Sequence, residues 1–313
     1  MAVVLTCIAA CGGTSSTGPT GPATVQLTVS SSANPSAEGQ SVTFTASFSG
    51  GSPAGTVVFQ DGAAALPACG AQVIGSGVAT CAASLAVGTH SITAVFAGDA
   101  SFTAATSAAL SQTVNKGSSA VAVASSLNPA VFGQAVTFTA TVTTTPAGSG
   151  ASGTVAFSDG GVAIGGCGAV SVSNQTAACT VAALSTGSHA VTAIYSGDAT
   201  FNASPASSAV SETVSKATPV ITSFVFTSIA VGGNGDFTLN LTGNAIAVPT
   251  GAVTITDAST VVSSCTLAAE TPPNAGCTTG VSTLPTGSQT FVATYPGDTN
   301  FLGATASKTV TVQ

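Results

Sequence analysis

Between Ser41 and Phe48 apolar and hydroxyl side chains alternate: Val42, Phe44, Ala46 and Phe48 fall on one face, with Thr43, Thr45 and Ser47 on the other. A period of two marks a half-buried β-strand, one face on a core and the other in water. The alternation returns in Val136, Phe138, Ala140 and Val142, and again in Phe237, Leu239 and Leu241. Around the first of these runs lie others of the same kind. They cover residues 24–30, 56–60 with Phe59 inward, two cysteine-bearing stretches, 90–96 with Ile92, Ala94 and Phe96 on one face, and 109–114. The dipeptides Asp61-Gly62 and Gly98-Asp99 turn the chain, and the Pro- and Gly-bearing stretch 32–40 is expected to be a loop. No segment carries a helical period. The chain is expected to be all-β, with about seven short antiparallel strands in each unit.

The unit recurs. GTVVFQDG opens at Gly55, GTVAFSDG at Gly153 and GAVTITDA at Gly251, each 98 residues after the last, and Cys69, Cys167 and Cys265 keep the same interval. Three copies of one domain follow, at about 24–115, 116–216 and 217–313. Residues 113–117 and 213–217 pass directly from a last strand to the next first strand, so the joints are expected to bend little.

Charge narrows the function classes. Charged residues make up 4% of the chain, three lysines face ten acids, and the formal net charge is −7. Nucleic acid and anionic membranes are recognised by clustered basic charge, and none is present. Hydrophobic residues amount to 44% and fall in regular alternation, which separates the chain from disordered sequences.

Cysteine usage points to a compartment. Six of eight cysteines form the pairs Cys69/Cys81, Cys167/Cys179 and Cys265/Cys277, each 12 apart, with no CxxC anywhere. The two histidines, His90 and His189, sit in different repeats, so no zinc set converges. Disulfides in an oxidising, extracytoplasmic setting are the expected reading. The midpoints of the pairs, 75, 173 and 271, fall in turn-like sequences, so each pair is expected to staple one hairpin. A ring of about 12 residues contributes roughly 3 kcal/mol by chain entropy.

Catalytic signals are absent: the sequence holds no GxSxG, HExxH or Walker-type loop, and its acids are mostly single turn residues. No enzyme activity, cofactor or metal is expected. Calcium is the one metal to weigh, since Asp61 could approach Asp198, and Asp159 could approach Asp298, across the joints. Two carboxylates fall well short of the six to eight oxygens calcium takes, so turn fixing is the expected role of these aspartates.

At the start, residues 1–11 are apolar up to a small-residue step, and 12–23 consist of Gly, Ser, Thr, Pro and Ala. The first segment is too short to span a bilayer as a helix and fits the hydrophobic part of an export signal; the second reads as a flexible tether. Ile8-Ala9-Ala10-Cys11 resembles the lipobox of bacterial lipoproteins, which implies lipidation at Cys11 and loss of Cys7 with the signal. The lack of a basic residue before it departs from that pattern and is expected of a late-placed start or a truncated gene; an ordinary secretion signal is the alternative.

Taken jointly, NPxxxGQxVTFTA at 34–46 and 128–140, GTVxFxDG at 55–62 and 153–160, LxxGxH at 85–90 and YxGDxxF at 195–201 resemble the bacterial Ig-like repeat of group 3. The third repeat departs from the pattern, with Val231–Gly235 in place of the Asn-Pro segment, Ile255 where Phe59 and Phe157 stand, and Gln289 where the histidines stand. The resemblance implies an Ig-like β-sandwich, repeated in tandem on a secreted or surface protein and used as a spacer or an adhesive module. A structural spacer tethered through Cys11 is the expected role. An adhesin, a module binding a cell-surface protein or glycan, or the stalk of a larger exported protein are the alternatives. Sugar sites present aromatic platforms, whereas Tyr195 and Tyr295 are expected to face the core.

Overall fold

The computed structural model describes residues 21–147, 150–227, 235–282 and 284–312. They fall into two compact units, one ending at Gly117 and one beginning at Ser118, and the second unit carries two of the three domains. All regular structure among them is strand.

The first domain contains β1 (Gln26–Ser31), β2 (Ser36–Ala37), β3 (Ser41–Ser49), β4 (Thr56–Asp61), β5 (Ala64–Ala65), β6 (Gln72–Val73), β7 (Val78–Ser84), β8 (Gly88–Phe96), β9 (Ala105–Thr106) and β10 (Leu110–Asn115). One sheet runs β1-β3-β7; the facing sheet runs β2-β10-β8-β4-β5, with β6 on β4 and β9 on β8. Alternation decides what lies between them. Val42, Phe44 and Ala46 of β3 meet Val57 and Phe59 of β4 and Ile92, Ala94 and Phe96 of β8, and all are buried.

The second domain repeats this plan with β11 (Ser118–Ser125), β12 (Ala130–Val131), β13 (Val136–Thr145), β14 (Thr154–Asp159), β15 (Val162–Ala163), β16 (Val170–Ser171), β17 (Thr176–Val181), β18 (Gly187–Tyr195) and β19 (Val210–Ser215). The third has β20 (Val220–Thr227), β21 (Gly235–Thr242), β22 (Gly251–Asp257), β23 (Thr260–Ala269), β24 (Asn274–Val281), β25 (Gly287–Tyr295) and β26 (Ala304–Val312). Here β23 is long enough to pair with β22 along most of its length and with β24 at its end, so all seven strands form one path. Its core is aromatic, with Phe237 and Phe291 4.8 Å apart and Phe226 against both.

Two expectations are corrected. The Asn-Pro stretch is not wholly loop: Ser36 and Ala37 pair in parallel with Val114 and Asn115, and Ala130 and Val131 pair with Val214 and Ser215. Nor do the disulfides of the first two domains staple hairpins, whereas in the third Cys265 and Cys277 lie on β23 and β24, which do pair as one. The turn before β7 is centred on Ser76 and Gly77, both at positive φ, with Gly75 and Val78 exchanging hydrogen bonds. That is the twist-matched two-residue hairpin turn. Continued outward, its register would oppose Cys81 to Gln72 and not to Cys69.

The two flanks of the turn instead part company, β6 joining β4 and β7 joining β3. Cys69 accepts a backbone bond from Phe59 in one sheet, while Cys81 is paired with Phe44 in the other. The bond Cys69–Cys81, with Cα atoms 5.6 Å apart, therefore ties sheet to sheet. Cys167–Cys179 does the same at 5.8 Å, and Cys265–Cys277 at 5.9 Å joins a partner of Val253 to a partner of Leu239.

Candidate functional site

Asp61 ends β4 and His90 lies near the start of β8, the strand beside it. His90 Nδ1 donates to Asp61 Oδ2 at 2.7 Å and Nε2 donates to the Ala86 carbonyl at 2.8 Å, while Asp61 Oδ1 accepts the Ser91 amide. Asp159, His189 and Ser185 repeat the arrangement at 2.6 and 2.9 Å. A carbonyl and a carboxylate only accept, so the ring keeps both bonds only when both nitrogens carry hydrogen, as the imidazolium. Burial pulls each histidine down, but the bonds to aspartate and carbonyl outweigh it and raise both above the ordinary 6.5. With both nitrogens committed as donors, neither histidine is a base poised to take a proton.

Behind His189 sits a second acid. Glu212 opposes it across β18 and β19, is fully buried, and accepts a 2.5 Å bond from Ser125 Oγ. Gln112 holds this place opposite His90 and Val310 holds it opposite Gln289. Beside the pair in each of the first two domains lies an open hollow, about 480 Å³ against Leu66, Leu85 and His90, and about 470 Å³ against Ile164, Leu184 and His189.

The Gly-Asp turns carry a second device. Asp198 Oδ1 accepts the amides of Thr200 and Phe201 at 2.8 Å, and Oδ2 accepts the Ser152 amide, the Ser152 hydroxyl and Tyr195 Oη. Asp99 and Asp298 bind equivalent amides in their own domains. Burial opposes ionisation of Asp198, but the three amides and the tyrosine hydroxyl hold its carboxyl well below the usual range. Burial, then the Asp198 carboxylate, pushes Tyr195 up to about 12.

The third device joins the second domain to the third. After β19 a single residue, Lys216, precedes Ala217, whose amide donates to Asn300 O and whose carbonyl accepts the Leu302 amide. Ala23 makes the same pair of bonds with Ser101 and Thr103 in the first domain, so this clamp belongs to the domain fold and the linker is one residue long. Across it, Lys216 Nζ donates to Asp298 O, Thr186 Oγ1 donates to Thr299 O at 2.9 Å, and Asn244 Nδ2 donates to Phe132 O at 2.9 Å. Phe132 and Phe301 meet edge to face at 5.9 Å, within one apolar cluster that spans both domains.

Cys11 lies outside the described residues. The six paired cysteines are structural, and the aspartates weighed for calcium are each engaged within their own domain. Among the described residues no group of three or more His, Cys, Asp or Glu is arranged to hold a metal ion. The tandem clamp and its Phe132 and Thr186 contacts were missed in the sequence, although Phe132 stands in NPAVFGQ where the first domain has Glu38 in NPSAEGQ.

Two facing sheets with a disulfide between them, repeated in tandem, define an Ig-like β-sandwich protein. The chain belongs to the bacterial Ig-like domain (group 3) family, whose profile matches residues 27–115, 123–215 and 222–313. Domains of this kind are typically non-catalytic. Similar solved structures include fibronectin(III)-like modules of Clostridium thermocellum CbhA, 19% identical over 60% of this chain and 94% of that one, with a TM-score of 0.27. The Escherichia coli adhesin FdeC is 17% identical over 95% and 99%, with a TM-score of 0.31. The ICAM-5 D1–D4 fragment is 13% identical over 92% and 77%, with a TM-score of 0.38. Scores this low support no statement about function. No curated protein matches the chain.

Proposed function

We propose that this chain is a non-catalytic, exported spacer in which Ig-like domains set a distance, tethered to the cell envelope through a lipid on Cys11. The joint between the second and third domains carries the reading. A one-residue linker, three side-chain bonds and a ring pair at one junction are what a strut needs and a freely hinged array lacks. Disulfides tying sheet to sheet suit an extracellular setting, as does the bacterial Ig-like family. No helix among the described residues is long and apolar enough to cross a membrane. The test is ¹⁵N relaxation on the full chain. The second and third domains are expected to share one rotational correlation time; separate times for the two refute the strut.

A binding role is the second reading, favoured by the like hollows beside His90 and His189. Tyr195 and Tyr295 are buried, and no aromatic ring is among the exposed large apolar side chains of the described residues, so a stacked sugar platform is not its form. Glycan and peptide arrays probed with the intact chain test it, with loss of any signal on filling the hollows as the confirming result.

A further inference from the structure

His189 is chemically continuous with the joint. Its Nε2 holds the carbonyl of Ser185, and the next residue, Thr186, is the one that donates to Thr299 of the third domain. Both residues lie in the short loop between β17 and β18, which is held by buried Leu184 and, at Ser185, by that bond from the ring. The acids around the ring are Asp159 on β14, which takes Nδ1, and Glu212 on β19, directly opposite. Lys216 and Asp298 are the charged groups at the junction itself, joined through the Asp298 carbonyl.

The three copies differ in step with position. In the second domain the histidine faces a buried glutamate and the loop carries Thr186. The first domain has His90 facing neutral Gln112, with Val87 in the loop, and the third has Gln289 facing Val310. The extra carboxylate thus occurs only in the domain whose loop grips its neighbour, while the loop hydroxyl is shared with Thr286 of the third domain.

We infer that protonated His189 is the latch of this joint: when the ring loses its proton, one of its two bonds is lost, the Ser185–Thr186 loop is freed, and the second and third domains uncouple. The sign follows from the bonding. A cationic ring is required to donate at both nitrogens, and the fold raises the His189 pKa above its ordinary 6.5, so the latch is closed below the folded value and opens as pH rises through it. The latch deepens the spacer reading and rests on it: the strut would be stiff where protons are plentiful and jointed where they are scarce.

The chain offers a direct assay, since its only tryptic sites are Lys116, Lys216 and Lys308. Cleavage after Lys216 is measured on the full chain from pH 7 to pH 9 and divided by the rate for a free peptide of the same sequence. The protonation of the two histidines is followed in parallel by ¹³C-labelled imidazole NMR. The normalised rate is expected to rise about tenfold or more along the His189 titration, the scale of one hydrogen bond to a charged group. His189→Gln, which imitates the third domain, should give a pH-independent rate, and His90→Gln should leave the pH dependence intact. If His189→Gln fails to fold, Thr186→Val carries the test: the ring still titrates, and cleavage is fast and flat. A slow, flat rate in the wild type while His189 titrates overturns the latch alone, as does an unchanged pH dependence in His189→Gln. A rate that is fast at every pH overturns the stiff joint as well.

Discussion

Replacing Asp198 with alanine removes the acceptor for five donors at once. The amides of Ser152, Thr200 and Phe201 and the hydroxyls of Ser152 and Tyr195 all end on this one carboxylate. The turn is partly exposed, so water replaces part of what is lost at Ser152 and Thr200. The Tyr195 hydroxyl and the Phe201 amide sit against buried rings and have less recourse to it. Taking about 1 kcal/mol for each of the two poorly replaced bonds and about half that for each of the other three gives a loss of roughly 3–4 kcal/mol, a large share of an ordinary domain's 5–15 kcal/mol. Asp198→Asn keeps an acceptor for the Thr200 and Phe201 amides but turns an NH2 toward Ser152 and should lose about half as much. The assay is urea unfolding of the full chain with hydrogen exchange read at β13, β14 and β18, so that the second domain is scored by itself. Because the fold lowers the Asp198 pKa, its contribution is present above the unfolded carboxylate value of about 4 and fades as pH falls toward the folded one. Wild-type stability should therefore drop below about pH 4 and Asp198→Asn should drop less steeply. A loss under about 1 kcal/mol in the alanine variant, or equal acid slopes in both, refutes the role given to this turn.

Other expectations follow from single observations. Gln175 stands at φ 62 where the first domain has Gly77, so Gln175→Gly should stabilise the second domain by up to about 1 kcal/mol in a urea melt. Gly133 has φ 92 and a Cβ there would strike the Asn244 amide, so Gly133→Ala should cost about 2 kcal/mol and weaken the joint, read by ¹⁵N relaxation. Replacing Cys167 and Cys179 together by alanine should lower the second domain's stability by about 3 kcal/mol, with exchange rising in both sheets and not in one hairpin. Limited trypsin digestion at pH 7 should leave a long-lived fragment holding the second and third domains, since Lys216 is engaged at the joint; early cutting there contradicts it.

Much of the fold is legible because strand alternation reports burial directly. Phe44, Phe138 and Leu239 stand at matching places in three alternating runs, each opposite the second cysteine of its pair, and all three are buried. Two-residue pairings such as Ser36–Ala37 on β10 leave no period to read. The disulfides were legible as pairs but not as ties between sheets, because hairpin symmetry assumes that both flanks of a turn stay in one sheet, and in the first two domains they part. The joint is a matter of which side chains meet across long chain gaps, 112 residues for Phe132 and Asn244, and local pattern carries no such information. A usable signal did exist for Glu212. It stands two residues before inward Val214 in an alternating strand, so parity alone places its carboxylate in the interior.

The three domains also act as natural variants of one site, and what changes among them tells which part matters. At the loop carbonyl the acceptor is constant, Ala86, Ser185 and Pro285 in turn, while the donor is imidazole, imidazole and the Gln289 amide, the last at a longer 3.5 Å. A catalytic dyad could not survive that exchange, because glutamine has no titratable nitrogen. A loop tie survives it, because one N–H is kept. The aspartate of β4 persists in all three as Asp61, Asp159 and Asp257, yet only the histidines draw a side-chain bond from it at 2.6–2.7 Å. Where the ring is gone, the residue opposite it is Val310, an apolar side chain that needs no charge nearby; where the ring remains, it is Gln112 or Glu212. The charged ring thus makes a short form of a tie that the Gln289 amide makes only at 3.5 Å, and the acids around it are most numerous in the domain whose loop reaches a neighbour. A structural bond that acquires a titrating group at a junction gains a dependence on pH that its uncharged copy in the third domain cannot have.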